Sequence, residues 1–113
     1  MPTVEDLVNV PVSLRVSGNS IQTQFEAAAP DLDDVDALRQ AVHEALLDHP
    51  ELVDAWQTYS YDKRSSPSPY LDGSEVGFYD QGRENIIRYD DLSAACADFI
   101  CREAAWVVRG IRL

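Results

Sequence analysis

The sequence of 113 residues has few basic side chains and few of the histidines and cysteines that build zinc sites and disulfides. It contains 9 lysines and arginines against 20 aspartates and glutamates, with two histidines and two cysteines. The resulting net charge of −11 opposes binding to nucleic acids and to anionic membrane surfaces, because both are polyanionic. It favours a cationic protein partner, or it serves solubility alone.

The two cysteines, Cys96 and Cys101, lie in a segment with helical periodicity. At about 100° per residue they point about 140° apart around the helix axis, so they cannot form a disulfide with each other. Unpaired thiols indicate a reducing compartment. The chain also lacks a basic and apolar leader after Met1, and no apolar run approaches the length of a membrane span. We therefore expect a cytoplasmic protein.

Sequence signatures of catalysis and of metal or cofactor binding are absent. The sequence contains no Cys-x-x-Cys, no Gly-x-Ser-x-Gly and no glycine-rich phosphate loop. Neither His43 nor His49 has a second ligand at a recognised spacing. The aspartates of 31–36 resemble a calcium loop, but Val35 occupies its third ligand position and Asp36 stands where its turn glycine belongs. The sequence predicts no metal site, no cofactor and no catalytic residue.

Hydrophobic periodicity in the first half of the chain changes from a period of two to a helical period. After a possible helical turn at 3–9, apolar and polar residues alternate over 10–16 and 21–27 around a Ser-Gly-Asn-Ser turn, which predicts a β-hairpin. Apolar residues then recur every three or four positions over 32–46 and 52–59. This spacing predicts two helices, divided near Pro50.

The second half of the chain predicts a loop, another hairpin and a final helix. Residues 63–74 have loop composition, with two prolines. Two short apolar runs at 76–79 and 86–89 predict the hairpin, and 92–107 predicts a helix that ends at Gly110. The predicted fold is a single α+β domain over 1–113, with the order ββααββα. Its two hairpins form one antiparallel sheet, and about three helices pack on one face.

Acidic residues are concentrated between Glu26 and Asp54, where nine acids and one base give a net charge of −8. If this region is helical, its polar faces form an acidic surface that attracts a basic protein and accelerates association. The alternative is a solvated surface that only keeps the protein soluble. The carboxylates predicted to bind the partner are Asp31, Asp33, Asp34, Asp36, Glu44, Asp48, Glu51 and Asp54.

Two adjacent bases, Lys63 and Arg64, stand among tyrosines in the predicted loop. One interpretation is that a local ion pair fixes the loop. The other is that Tyr61, Tyr70 and the two bases contribute to a protein interface, where tyrosine and arginine are enriched. We include all four residues among the candidate partner-binding residues.

Three short strings in the sequence resemble a known class of proteins. They are the segment His49–Trp56 continuing to Arg64, the segment Val76–Tyr79 and the segment Ala95–Glu103. Together they resemble small bacterial immunity proteins, which are encoded beside secreted or contact-dependent toxins. The resemblance covers residues 49–103. It implies a cytosolic inhibitor that binds a basic toxin domain, such as a nuclease, and neutralises it.

Three hypotheses for function follow. The first is a non-enzymatic immunity-type inhibitor that forms a direct complex with a basic toxin. The second is an acidic adaptor, or a nucleic-acid mimic, with another basic partner. The third is a small enzyme, which would need a deep pocket lined by His43 or by close carboxylates.

Overall fold

The computed structural model describes residues 4–17, 20–28, 32–62 and 66–113. Across these residues, helices and a small antiparallel sheet form an α+β fold, as the sequence predicts. The elements in chain order are α1 (Val4–Val8), α2 (Val10–Ser17), α3 (Ile21–Ala28), α4 (Val35–Asp48), α5 (Glu51–Asp62), β1 (Ser68–Asp72), β2 (Glu75–Tyr79), β3 (Arg83–Arg88) and α6 (Leu92–Arg109).

The hairpin predicted near the N-terminus is wrong, because α2 and α3 occupy those positions. A strand would bury alternate apolar residues together. In the structure Val10 is fully buried while Val12 is 41% exposed, and Phe25 is fully buried while Ile21 is 38% exposed. Burial therefore follows a helical spacing, and the tertiary core overrides the local alternation. The predicted turn at 18–19 lies outside the described residues.

The sheet has three strands in the order β1-β2-β3, and β1 lies where the sequence predicts a loop. Pro69 pairs with Phe78 and Leu71 with Val76, so one face of β1 and β2 packs on the core. The free edge of β1 is covered by α5. The Ser60 hydroxyl accepts the Leu71 N–H at 2.8 Å, and the Gln57 amide exchanges hydrogen bonds of 2.7 and 3.0 Å with Gly73.

The three long helices and the β2–β3 hairpin match the prediction in position. Asp34 caps α4 by accepting the Ala37 N–H at 3.2 Å. Asp91 caps α6, which ends at Gly110 with a φ of 66°. That left-handed backbone suits glycine, since a β-carbon would strain it. The order is nevertheless not ββααββα, because helices precede the sheet and β1 extends it.

Helix α6 is the centre of the fold, because the sheet covers one side of it and α3, α4 and α5 pack on others. Cys96 and Cys101 are buried on it and unpaired, as predicted. The indole N–H of Trp56 donates to the Val8 carbonyl at 2.9 Å, which fastens α5 to α1. None of the helices in the described parts of the chain is long and apolar enough to cross a membrane.

Candidate partner-binding surface

The exposed side of α5 forms a ridge of acidic and hydroxyl-bearing side chains. Leu52, Val53 and Trp56 point into the core, and a separate set of positions on the helix faces solvent. We define the α5 ridge by its exposed residues, which are Glu51, Asp54, Thr58, Tyr61 and Asp62. Tyr61 is 87% exposed. Within the described part of the chain, Asp54 and Asp62 have no ion-pair or side-chain hydrogen-bond partner, and the Glu51 carboxylate lies 3.5 Å from His49 Nδ1.

An apolar pocket lies on one flank of the α5 ridge, with a volume of about 210 Å³. Its lining comes from α2, α3 and α5 and consists of Pro11, Leu14, Ile21, Ala55, Thr58, Tyr59 and Asp62. The Tyr59 hydroxyl is engaged, because it donates to the buried Glu103 carboxylate at 2.7 Å. Burial, followed by the charge of Glu103, raises the pKa of Tyr59 far above its usual range. Among its described lining residues, the pocket presents apolar walls and one carboxylate, that of Asp62.

A larger cleft of about 540 Å³ lies on the other flank, between α5 and β1. We call it the tyrosine cleft, since Tyr61, Tyr70 and Tyr79 line it together with Arg83 and Asp72. The structure thus brings together Tyr61 and Tyr70, which the sequence analysis proposed as interface residues. Lys63 and Arg64 lie outside the described residues, as does Asp31.

A polar network fixes Tyr70 on the outer face of the sheet. Its hydroxyl donates to Glu75 Oε2 at 2.6 Å, and the Arg83 guanidinium lies 4.7 Å from the centre of its ring. Arg83 also binds Glu75 at 2.7 Å and Asp72 at 3.0 Å, while Arg88 reaches Glu75 at 3.1 Å. Burial, assisted by the hydrogen bond to Glu75, raises the pKa of Tyr70 to about 12. The same hydrogen bond lowers the pKa of Glu75.

Sequence reasoning missed Glu75, Arg83 and Arg88. They meet because the antiparallel register places Glu75 opposite Arg88 and Tyr79 opposite Arg83. Residues on directly opposed positions of neighbouring strands share one face of the sheet. The alternation of side chains along each strand shows which residues of that strand share a face. The sequence does not show the register between the strands, which decides which residues meet.

The acidic residues of α4 form a separate exposed group. Asp36, Glu44 and Asp48 are exposed, and Asp36 pairs with Arg39 at 3.2 Å. Asp33 is also exposed and pairs with Arg109 at 3.0 Å. Since α4 packs mainly on α6 and α1 while α5 packs mainly on β1, the two acidic groups belong to helices with different neighbours.

His43 lies in a cluster that superficially resembles a hydrolytic triad. Its Nε2 atom is 3.1 Å from Asp91 Oδ2 and 3.2 Å from Ser93 Oγ, and Ser93 donates to Asp91 at 2.6 Å. A working triad uses one imidazole nitrogen for the nucleophile and the other for the carboxylate. Here one nitrogen faces both groups, so the contacts join α4 to the N-terminal cap of α6. The hydrogen bond from Ser93 is the main cause that lowers the pKa of Asp91.

A shallow cavity of about 300 Å³ adjoins this cluster and is lined by Arg39, Gln40, His43 and Tyr89, among others. Arg39 lies between two carboxylates, those of Asp36 and Asp98. The described residues contain no group of three or more histidine, cysteine or carboxylate side chains that could hold a metal ion.

Comparisons with protein-family models, with curated proteins and with solved structures find no match to this chain.

Proposed function

We propose that this protein is a non-enzymatic binding protein of the immunity type, which neutralises a cognate basic toxin in the cytoplasm by forming a direct complex with it. One observation carries the proposal. The α5 ridge combines two exposed carboxylates, Asp54 and Asp62, that lack side-chain partners among the described residues with a tyrosine that is 87% exposed, and a cavity adjoins it on either flank.

The two kinds of side chain on the ridge serve different parts of binding. Carboxylates that are not neutralised within the protein attract a basic partner over several ångströms and accelerate encounter. Tyrosines contribute contact area at a small cost in conformational entropy, and they are enriched among residues that dominate binding energy. The net charge of −11 strengthens the attraction without specifying a partner.

Co-expression with the protein encoded by the neighbouring gene tests the proposal. We expect that the C-terminal domain of that neighbour arrests bacterial growth, that this chain restores growth, and that the two elute as a one-to-one complex. The control is the Asp90→Lys variant, which reverses an exposed charge away from the ridge. Unrelieved growth arrest, together with separate elution of the two proteins, would contradict the proposal.

Competition with DNA separates this proposal from the alternative of an acidic adaptor or nucleic-acid mimic. A mimic displaces DNA from a basic partner encoded elsewhere. An immunity-type inhibitor protects against its own toxin and leaves unrelated basic DNA-binding proteins unaffected.

A further inference from the structure

We infer that the apolar pocket beside α5 receives a single arginine or lysine side chain of the basic partner. This inference rests on the proposed function, since it names the group that the partner inserts. The aliphatic stem would lie against Pro11, Leu14 and Ile21, and the cationic head would reach the carboxylate of Asp62.

The chemistry of the lining matches a long basic side chain. Such side chains bury their methylene groups on apolar surface and keep the charged head at a polar rim. The described walls of the pocket are apolar on the α2 and α3 side, and Asp62 is the one carboxylate among the described residues that line it. Asp62 is exposed and has no side-chain partner within the described residues.

Other occupants fit less well. A purely apolar side chain would remove water from Asp62 without giving it a partner, which costs free energy. An acidic side chain would meet the like charge of the Asp62 carboxylate, which is unfavourable. A metabolite is also disfavoured by size, because the pocket measures about 210 Å³, whereas small-molecule sites span about 300–1,000 Å³.

Two short peptides that differ in one group test the inference directly. The probes are acetyl-Gly-Gly-Arg-Gly-Gly-amide and the same peptide with citrulline, the neutral isostere of arginine. Titration is followed by ¹H–¹⁵N correlation spectra at low salt. We expect saturable shifts at the amides of Leu14, Ala55, Thr58 and Asp62 with the arginine peptide, and a Kd about fivefold weaker with citrulline.

Matched variants separate a specific site from general attraction. Asp62→Asn and Asp90→Asn each remove one negative charge from an exposed position that has no side-chain partner among the described residues. We expect Asp62→Asn to weaken the arginine peptide about fivefold and Asp90→Asn to leave its Kd unchanged. Thr58→Trp, which fills the pocket, should abolish the localised shifts. Circular dichroism checks that each variant is folded, and Asp62→Asn retains the size of the side chain if Thr58→Trp fails to fold.

Shifts spread evenly over the acidic surfaces, or equal weakening by both asparagine variants, would overturn the inference. Its failure can be distinguished from failure of the proposed function. If the chain relieves growth arrest by the neighbouring toxin, and a folded Thr58→Trp variant relieves it equally well, the pocket is not used while the immunity function stands.

Discussion

The ring of Tyr70 lies directly over Gly77 on the outer face of the sheet. A β-carbon at position 77 would come within 2.8 Å of the Tyr70 Cε1 and hydroxyl atoms and within 2.9 Å of the Glu84 carbonyl oxygen. Gly77 is therefore required by the close approach of these atoms. Its backbone does not adopt the left-handed conformation for which glycine is often needed. This contact, together with Glu75 and Arg83, holds the tyrosine in the wall of the tyrosine cleft.

Replacing Gly77 with alanine should destabilise the protein by about 1–3 kcal/mol, since the backbone of β3 and the Tyr70 ring must both move. Gly82→Ala is the matched control, because a β-carbon there meets nothing within 4 Å. Urea unfolding measures both variants. A loss of stability as small for Gly77→Ala as for Gly82→Ala would show that Tyr70 is not held against the strand.

Trp56→Phe should cost about 1–3 kcal/mol of stability, because the buried Val8 carbonyl loses the donor that satisfies it. The control is Trp106→Phe. Trp106 is only partly buried, and its edge contact with Phe78 at 5.0 Å survives as a contact between two phenylalanines. Thermal unfolding should show a clearly larger decrease in Tm for the first variant. Equal decreases would mean that the hydrogen bond between α5 and α1 contributes little.

The long elements of this fold were predictable because their periodicity extends over several turns. Helices α4, α5 and α6 repeat apolar residues over 12 to 18 positions, and cap or stop signals such as Pro50 and Gly110 mark their ends. Short segments lack that redundancy. The eight residues of α2 fit an alternating strand pattern as well as a helical one. The structure decides for a helix, since Val10 is buried and Val12 is exposed.

The sequence predicted several residues of the candidate site but not how the fold brings them together. Glu51, Asp54, Tyr61 and Tyr70 were identified from charge and residue type. The apolar pocket was not, because its walls come from α2 and α3, which the sequence pattern assigned to a hairpin. Strand β1 was not predicted from the sequence for a related reason. Its free edge is satisfied by side chains of α5, a long-range arrangement with no local signature.

Arg102→Met should destabilise the protein by about 3–5 kcal/mol, because it leaves the buried Asp98 carboxylate without its principal cation. The pair is 3.0 Å apart, with side chains only 4% and 7% exposed. The double variant Asp98→Leu/Arg102→Met should lose less stability than the single variant, because it removes both members of the buried pair. Asp36→Asn, which breaks an exposed pair, is the control and should cost less than about 1 kcal/mol. A double variant less stable than Arg102→Met would contradict this account.

Stability should fall as the pH rises above 9, because the two buried thiols ionise only in the unfolded chain. Burial raises the pKa of Cys101 from its ordinary value of 9.0 to about 12 and raises the pKa of Cys96 further. The folded state therefore holds protons that the unfolded state releases. Each thiol should remove about 1 kcal/mol of unfolding free energy between pH 9 and 10, and the slope approaches about 1.4 kcal/mol per pH unit above that range.

Urea titrations at a series of pH values measure this dependence. The Cys96→Ala/Cys101→Ala variant is the control, and its stability should decline less steeply between pH 9 and 10, below the ordinary pKa of tyrosine. An identical slope in both proteins would show that the thiols do not contribute.

Charge reversal on two helices should locate the surface that binds the proposed basic partner. Glu44→Lys/Asp48→Lys changes α4 and Asp54→Lys/Asp62→Lys changes α5, and each pair moves the net charge from −11 to −7, since each substitution adds two charges. These four carboxylates have no side-chain partner among the described residues, so their reversal breaks no ion pair there. Asp33 and Asp34 are unsuitable, because one pairs with Arg109 and the other caps α4.

Stopped-flow association at low salt, with dissociation followed separately, distinguishes the two surfaces. The α5 variant should associate about tenfold more slowly and dissociate faster, because its carboxylates lie on the α5 ridge. The α4 variant should show only the slower association that follows from net charge, with unchanged dissociation. If dissociation instead accelerates in the α4 variant alone, the partner binds that helix. If neither variant alters binding, the acidity serves solubility, and the contacts must come from uncharged groups such as those of the tyrosine cleft.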